Sequence, residues 1–289
     1  MGQLKDRLIE EIKLRGFSKR TEEVYVSVAE KFIIFTAISP VNLTLDHVRK
    51  YKLHLINSKF APRTINQQIS AIKFFFILVL KKRWDNYQFR SIKVPRKLPV
   101  ILSKREIVTF LNSTDNLAHQ TIFMTMYSCG LRRSEVVKLK TKDVDSKRML
   151  LNIKDSKNGK DRNVILSEQL LRKLRHYWEE DPKDKRQWLF PSTVPDKHYG
   201  PNNLNVLFKK ILKESSINKK VSCHSLRHSW ATHMLEDGIN LRYLQVLLGH
   251  SSILSTAIYT HLVDFRKVKV KSPLDSIASE IKQGGTNGN

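Results

Sequence analysis

The residues of this chain with the greatest chemical potential lie in a few short stretches of its C-terminal half. Positions 223–228 read Cys-His-Ser-Leu-Arg-His, followed by Leu-Gly-His at 248–250 and Ile-Tyr-Thr-His at 258–261. A further arginine pair lies upstream, in Gly-Leu-Arg-Arg-Ser-Glu at 130–135. Two guanidinium groups can hold a phosphate, an imidazole can carry a proton, and a phenol can attack phosphorus. In a basic protein this set indicates phosphoryl transfer on a nucleic acid.

Taken singly, each of these residues has a plainer interpretation. Arg132 follows a glycine that is typical of a helix end, and it is either a surface arginine or an anion ligand near a helix start. His224 and Arg227 are three residues apart, hence on one helix face. His224 and His228 have a spacing that suits a metal, but no third ligand stands at a familiar distance, so we predict no metal site. We expect His228 to make a buried hydrogen bond.

Taken together, these stretches resemble the tyrosine recombinase (phage integrase) family. Members carry a block like Gly-Leu-Arg-x-Ser-Glu, here 130–135, and a block like His-x-Leu-Arg-His, here 224–228. They also carry Leu-Gly-His with a tyrosine nine residues past the histidine, here His250 and Tyr259. The stretch 229–236 is similar to the family's Ser-Phe-Ala-Thr-His-Leu-Leu-Glu run. The resemblance covers the catalytic half closely and the N-terminal half only generally.

The resemblance implies a division of labour. Tyr259 would attack the scissile phosphate and leave a 3′-phosphotyrosyl link with a free 5′-hydroxyl. Arg132 and Arg227 would bind the non-bridging oxygens and oppose the charge that grows in the transition state. His224 would act as acid and base toward the phenol, and His250 would hydrogen-bond the phosphate.

The leaving 5′-oxygen needs a proton, which the family takes from a lysine in a β-hairpin turn with a pattern like Gly-Lys-Gly-x-Lys-x-Arg. Here 156–162 reads Ser-Lys-Asn-Gly-Lys-Asp-Arg, so Lys157 matches when the pattern is aligned on Lys160 and Arg162. Both glycines of the pattern are replaced, so Lys154 and Lys160 remain competitors for this role. Lys160 and Arg162 are also expected to contact DNA.

Two further expectations complete the site. Glu135, one turn past Arg132, would hold active-site groups in place. No metal or other cofactor is implied, because guanidinium groups supply the cationic charge and a phosphotyrosyl bond conserves the energy of the broken phosphodiester.

Tyr259 by itself is also compatible with a buried core tyrosine, which is what we expect of Tyr177 and Tyr243.

The composition supports a nucleic-acid partner. The 289 residues include 52 Lys+Arg against 27 Asp+Glu, for a net charge of +25, and the basic residues are spread along the chain. Folded domains should therefore form the polyanion-binding surface.

The two cysteines exclude a disulfide framework and suit a reducing compartment. The start is too charged for a secretory signal, and the longest apolar run, 74–80, is far short of the ~20 residues that span a bilayer. We predict a cytoplasmic protein with no membrane partner.

The N-terminal part must present DNA-binding helices. Residues 1–91 read as all helix, which with the resemblance predicts a helical core-binding, SAM-like domain. Its fourth helix should begin at Pro62 and run to about residue 82. The first turns of this helix are polar, and their side chains either reach phosphates and base edges or face solvent. These residues are Arg63, Thr64, Asn66 and Gln67. Residues 92–100 read as an extended linker that could follow a phosphate backbone. Its basic side chains are Lys93, Arg96 and Lys97.

The catalytic part should span 101–272. A capping box at Ser103 and Glu106 begins its first helix, and a hairpin at 148–166 interrupts a series of helices. The fold class is therefore mainly α with a small β-sheet, the second domain being α+β. Residues 273–289 contain an amphipathic segment that, in the family, often docks on a neighbouring protomer.

The resulting hypothesis is a site-specific recombinase. Four protomers would bind two double-stranded recombination sites and exchange strands through a Holliday junction, and accessory DNA-bending proteins are further candidate partners. Two alternatives stay open: a type IB-like topoisomerase, and a DNA-binding relative that no longer cleaves. The chain resembles both Xer-type recombinases and integrases of integrons or mobile elements.

Overall fold

The chain folds into two compact units, residues 1–97 and 98–289. The computed structural model describes residues 2–95, 97–154, 161–180, 187–194 and 196–264. The mainly helical composition with one small sheet is the predicted fold class. Within the described residues, none of the helices has both the length and the apolar composition that crossing a bilayer requires. The C-terminal segment predicted to dock on a neighbour, 273–289, lies outside the described residues.

The first unit is a bundle of helices around an aromatic core. Its helices are α1 (Gly2–Leu14), α2 (Lys19–Thr36), α3 (Leu45–Asn57) and α4 (Pro62–Phe74), and α4 continues into a π-helical turn at Phe75–Val79. Phe32, Phe75 and Phe76 are fully buried at its centre. The start of α4 at Pro62 is confirmed, and Ser18 caps α2 while Thr44 precedes α3.

The second unit packs helices around a short antiparallel sheet. Its elements before the sheet are α5 (Lys104–Asn112), α6 (Leu117–Ser128) and α7 (Arg133–Val136). The sheet contains β1 (Val144–Asp145), β2 (Leu150–Ile153) and β3 (Arg162–Ile165) in that order. The elements after it are α8 (Glu168–Glu180), α9 (Pro201–Glu214), α10 (Cys223–Glu236), α11 (Leu241–Leu248) and α12 (Leu254–Ala257), with a 3₁₀ turn at Ile258–His261.

Most predicted elements of this unit are confirmed. In the capping box, the Glu106 amide donates to Ser103 Oγ (3.2 Å), and the Ser103 amide donates to Glu106 Oε2 (2.7 Å). Tyr177 is buried as predicted. The same prediction was wrong for Tyr243, which is 70% exposed. α11 turns Leu244 inward, and a neighbouring residue lies about 100° around the helix, so Tyr243 faces outward.

A close approach between α10 and the turn after α6 fixes the geometry of the site. Gly130 has a left-handed φ of 58°, and a Cβ added to it would lie 2.3 Å from Cε3 of Trp230. Only glycine satisfies both conditions, because other residues pay a steric cost at this φ and would overlap the indole. The turn that carries Arg132 is therefore packed directly on the helix that carries Arg227.

Candidate active site

Glu135 is the centre of a buried charge cluster that we call the arginine–glutamate cluster, formed by Arg132, Glu135, Arg162 and Arg227. Arg132 Nη1 donates to Glu135 Oε1 (2.6 Å), and Arg162 donates to both carboxylate oxygens (3.0 and 2.8 Å). Arg227 Nη1 lies 3.7 Å from Glu135 Oε2. Burial alone would raise the pKa of Glu135, but the hydrogen bond and charge of Arg162, with its other partners, bring that pKa down to about 2.

The local sequence explains why Arg132 and Glu135 meet. Arg132 is extended (φ −73°, ψ 152°) and directly precedes α7. Its backbone N–H donates to Glu135 Oε2 at 2.8 Å, so the carboxylate caps the start of the helix. The Arg132 side chain keeps 18% of its surface accessible, whereas the Glu135 side chain keeps 3%. The cluster thus has a closed carboxylate side and an arginine that reaches solvent.

Arg227 is held almost completely inside the protein. It is 1% exposed, and its guanidinium donates to the carbonyl oxygens of Gly130 (2.7 Å) and Leu248 (2.6 Å). Burial, followed by the charge of Arg132, lowers the pKa of Arg227 to about 9, which leaves it a cation at neutral pH. These carbonyl contacts fix the plane of the guanidinium.

His250 lies beside Arg227 at the end of α11. Its Nε2 is 3.2 Å from Arg227 Nη2, and its Nδ1 is 2.9 Å from Thr256 Oγ1. Because a guanidinium only donates, Nε2 is the acceptor and Nδ1 carries the proton that is donated to Thr256. The Gln245 amide also donates to the His250 carbonyl (2.9 Å). Burial and then the charge of Arg227 lower the pKa of His250 to about 4, so it is neutral at pH 7.

Two histidines of α10 contact each other beside this cluster. The His224 and His228 rings meet at nearly a right angle, with centroids 4.5 Å apart. His224 has one side open to solvent and lines a cleft with Arg132 and Asn205. Desolvation of its inner side, followed by the charge of Arg227, lowers the pKa of His224 to about 4. His224 is therefore uncharged at neutral pH and accessible to a ligand in the cleft.

Tyr259 lies in the 3₁₀ turn that follows α12 and is 2% exposed. Its hydroxyl is 3.0 Å from His228 Nδ1, which is the hydrogen bond that we expected His228 to make with an unspecified group. Its ring is parallel to that of His250, at an interplanar angle of 11° and 6.5 Å between centroids. Burial raises the pKa of Tyr259, and the charges of Arg227 and Arg132 oppose that rise.

The structure therefore brings together six of the residues singled out in the sequence. They are Arg132, Glu135, His224, Arg227, His250 and Tyr259. Lys157, predicted as the general acid, lies outside the described residues, as does Lys160. Lys154 is exposed, with its Nζ 3.7 Å from the buried carboxylate of Asp143. Among the described residues, no group of three or more His, Cys, Asp or Glu side chains is placed to hold a metal ion.

Arg162 requires a correction. We expected it to contact DNA, but its side chain is 6% exposed, and its donors go to Glu135 and to the carbonyl oxygen of Leu247 (2.8 Å from Nε). The alternating pattern of strand β3 indicates that this side chain points inward. Arg162 and Val164 alternate with exposed residues in β3, so both point into the core.

Asn66 requires a second correction. Its side-chain amide donates to the carbonyl of Ile92 and accepts from the backbone amide of Ile92, both at 2.8 Å. Asn66 therefore attaches the backbone at Ile92 to α4, and its amide is not available for a base edge. The other polar residues of this helix start remain accessible: Arg63 and Gln67 are exposed and Thr64 is half-buried. Lys93 and Lys97 are exposed, whereas Arg96 lies outside the described residues.

Comparison with known proteins identifies the family. The sequence profile described as Phage integrase family matches residues 101–266, and the one described as Phage integrase, N-terminal SAM-like domain, matches residues 4–86. The chain belongs to the phage integrase family. Members of this family of tyrosine recombinases cleave and rejoin DNA. The sequence resemblance and the SAM-like character predicted for the N-terminal unit are thereby confirmed.

Integrase relatives match over most of the chain. An integrase/recombinase of Sinorhizobium fredii, y4qK, is 36% identical over 95% of this chain and 89% of its own length. Tyrosine recombinase XerA of Pyrococcus horikoshii is 33% identical, covering 86% of this chain and 85% of its own.

Solved integrase-family structures share the fold. XerH site-specific recombinase bound to its palindromic difH substrate is 21% identical, with a TM-score of 0.70 over 93% of this chain and 82% of that one. A lambda integrase dimer bound to a COC′ core site is 16% identical, with a TM-score of 0.71 over 94% and 79% of the two chains.

Proposed function

We propose that this chain is a site-specific recombinase that cuts DNA by attack of Tyr259 on phosphorus, holds the 3′ end as a phosphotyrosyl link, and exchanges strands through a Holliday junction. The observation that carries the proposal is the convergence of a buried tyrosine hydroxyl with the arginine–glutamate cluster and three uncharged histidines. Family membership supports the same chemistry.

The charge of the cluster suits a phosphodiester in the transition state. Three guanidinium groups face the single carboxylate of Glu135, so two positive charges remain uncompensated within the cluster. A phosphodiester carries one negative charge, and a second develops as the pentacoordinate state forms. Prearranged cations in a water-poor site stabilise that growing charge without reorganising. Arg132, the more accessible arginine, is where the phosphate would enter, and Arg227 and His250 would meet its other oxygens.

Breaking the P–O5′ bond requires a proton on the leaving oxygen, and we assign this to a lysine of the hairpin loop. The ion pair with Asp143 ties Lys154 to the base of the hairpin. This contact makes Lys154 less suitable as the proton donor. It favours Lys157, the residue that matches the family pattern, with Lys160 as the competitor for that role.

Duplex DNA would be bound largely through its phosphates. The net charge of +25 and the exposed Arg63, Gln67, Lys93 and Lys97 support this proposal, with Thr64 beside them and Arg96 and Lys160 as further basic candidates. Asn66 and Arg162 are not among these contacts, because their polar atoms are bonded to other groups of the protein. Affinity for DNA should fall steeply with added salt.

The biological reaction would be integration and excision of mobile DNA or resolution of replicon dimers. Relatives with integrase/recombinase names support the first, and relatives named XerA and XerD support the second. We propose that four copies act on two sites in the cytoplasm, with DNA-bending proteins as candidate accessories. Relaxation of supercoils by a single copy, as in a type IB topoisomerase, is the competing function.

Covalent capture tests the proposal. Purified protein is incubated with fragmented host DNA and denatured, and the protein-linked DNA is sequenced beside a Tyr259→Phe control. Linked DNA that clusters at one inverted repeat and disappears in the control supports a site-specific recombinase. Capture spread over all sequences would indicate the topoisomerase, and salt-sensitive binding without capture would indicate a non-cleaving relative.

A further inference from the structure

The backbone around His250 is held by several hydrogen bonds. The His250 amide donates to the carbonyl of Gln245 (3.1 Å), and the Gln245 side chain donates to the His250 carbonyl (2.9 Å). Two residues earlier, the carbonyl of Leu248 accepts from Arg227 (2.6 Å). With its backbone fixed in this way, the position of the His250 imidazole depends on what its two ring nitrogens contact.

Thr256 contacts one of these nitrogens. Its Oγ1 lies 2.9 Å from His250 Nδ1, and the threonine is fully buried. Its backbone is fixed within α12, where its amide donates to the carbonyl of Ile253 (2.9 Å). Tyr259 follows three residues later, with its ring parallel to the imidazole. The Thr256–His250 contact therefore connects the end of α11 to the turn that carries the tyrosine.

With its proton on Nδ1, His250 cannot hydrogen-bond a phosphate oxygen through Nε2. Nε2 accepts from Arg227 at 3.2 Å, and a phosphate oxygen is an acceptor as well, so no hydrogen lies between the two. Nε2 must therefore gain a proton before it can meet the phosphate. Burial and the charge of Arg227 lower the pKa of His250 to about 4, which disfavours a doubly protonated ring. The change that keeps the ring neutral is loss of the Nδ1 proton as Nε2 gains one.

We propose that Thr256 is a positioning residue that holds the His250 ring at Nδ1 while Nε2 changes from acceptor to donor as the scissile phosphate binds, an inference that rests on the function proposed above. A hydroxyl both accepts and donates, so Oγ1 accepts from Nδ1–H before the change and donates to the bare nitrogen after it. Water delivers one proton to Nε2 and takes one from Nδ1. The ring keeps its orientation because the same oxygen bonds the same nitrogen in both states.

Variants of matched size separate the hydroxyl from the rest of the threonine. Thr256→Val keeps the branched shape but can neither donate nor accept, whereas Thr256→Ser keeps the hydroxyl. Thr256→Ala serves if the valine variant unfolds. Thr121 supplies the control for loss of a buried threonine hydroxyl away from the site, because it is fully buried in α6 and donates to the carbonyl of Leu117 at 2.7 Å. Melting temperature and DNA affinity are measured for every variant.

The kinetic test measures single-turnover formation of the covalent link on the DNA site recovered by covalent capture. Thr256→Val should be slower than the wild type by about tenfold, the usual effect of losing one buried hydrogen bond. Thr256→Ser and the control Thr121→Val should stay within about threefold of the wild type. In a His250→Ala background, Thr256→Val should change the rate by less than about twofold, because the imidazole that it positions is no longer present.

Three results would overturn the role of Thr256. The first is a Thr256→Val rate within about threefold of the wild type, and the second is a Thr256→Ser variant as slow as Thr256→Val. The third is an undiminished loss in the His250→Ala background, which would mean that the threonine only supports the turn of Tyr259. The double variant is decisive because a purely structural role would not depend on the imidazole.

A spectroscopic measurement needs no cleavage. Nitrogen NMR of protein grown with isotope-labelled histidine distinguishes a protonated from a bare ring nitrogen, and His250→Ala identifies the His250 signals. The free protein should carry the proton on Nδ1, and Tyr259→Phe bound to site DNA should carry it on Nε2. A proton on Nε2 in the free protein, or one that stays on Nδ1 with DNA bound, would overturn the proposal. If the wild type forms no link with any DNA, the proposed function fails, and the spectrum of the free protein still tests the bond to Thr256.

Discussion

Arg162 reaches both oxygens of Glu135, with its two terminal nitrogens at 3.0 and 2.8 Å, where neither side chain is more than 6% exposed. This paired contact attaches strand β3 to the start of α7, and α7 directly follows Arg132. Arg162, which we first expected to contact DNA, thus supports the turn that carries Arg132.

The buried pair should be important for stability. Arg162→Met leaves the Glu135 carboxylate with fewer partners in a buried site and should lower the free energy of unfolding by about 3–5 kcal/mol. Lys104→Met removes the exposed ion pair with Asp237 and should cost less than about 1 kcal/mol. Urea denaturation of both variants measures the difference. An Arg162→Met protein with wild-type stability but weakened DNA binding would restore the surface role first expected for Arg162.

Arg132 and Arg133 are adjacent but should differ in catalysis. Arg132 belongs to the arginine–glutamate cluster, and Arg133 opens α7 beside the cleft. Arg132→Ala should slow single-turnover cleavage by about 100- to 1,000-fold, the usual effect of removing one transition-state donor. Arg133→Ala, assayed at saturating protein, should change the rate less than about tenfold. Equal losses in the two variants would mean that positive charge near the cleft matters and the position of the guanidinium does not.

Substitutions of the neighbouring residues Asn66 and Gln67 should have different effects, the first on stability and the second on DNA binding. Asn66→Ala breaks two hydrogen bonds to the Ile92 backbone and should lower the unfolding free energy by about 1–2 kcal/mol. Gln67→Ala should change stability by less than about 0.5 kcal/mol while weakening binding to the recombination site. Thermal denaturation and salt-dependent gel shifts test the pair. The opposite assignment of effects would return Asn66 to the DNA interface.

Stability should fall in mild acid because of two half-buried histidines. His228 and His250 have folded-state pKa values lowered to about 4 from the ordinary 6.5. A base whose pKa is lowered by folding binds more protons when unfolded, so its stabilising contribution is present above pH 6.5 and is lost as pH falls from 6.5 toward 4. The urea midpoint should decline across that window, and His250→Gln should reduce the slope. An acid profile of His250→Gln identical to that of the wild type would contradict this account.

Much of the site was predictable because its motifs are local. The Arg132–Glu135 contact follows from a three-residue spacing at a helix start, and Gly130 with its positive φ was indicated as a helix end. The helices and the two longer strands follow from periodicity and capping. β1 was missed because it is two residues long and carries no pattern of its own.

What could not be predicted depends on contacts between distant parts of the chain. Tyr259 meets His228 across 31 residues, and Arg162 meets Glu135 across 27. The spacing of motifs identifies these residues as candidates. It does not show which imidazole faces the phenol or whether an arginine in a strand points inward. In β3 the alternation with Val164 indicates the inward direction of Arg162, whereas its positive charge indicates the surface.

The most direct test of the central claim is to locate the covalent bond to DNA. Protein trapped on a nicked recombination site is digested with trypsin and nuclease, and the peptide that retains a nucleotide is fragmented by mass spectrometry. Trypsin leaves 243–266 as one peptide, because no Lys or Arg lies between 243 and 265, so fragmentation must distinguish Tyr259 from the exposed Tyr243. We predict a 3′-phosphate linked to Tyr259. A link to Tyr243 or to any other residue, or a 5′-phosphate linkage, would contradict the proposed mechanism.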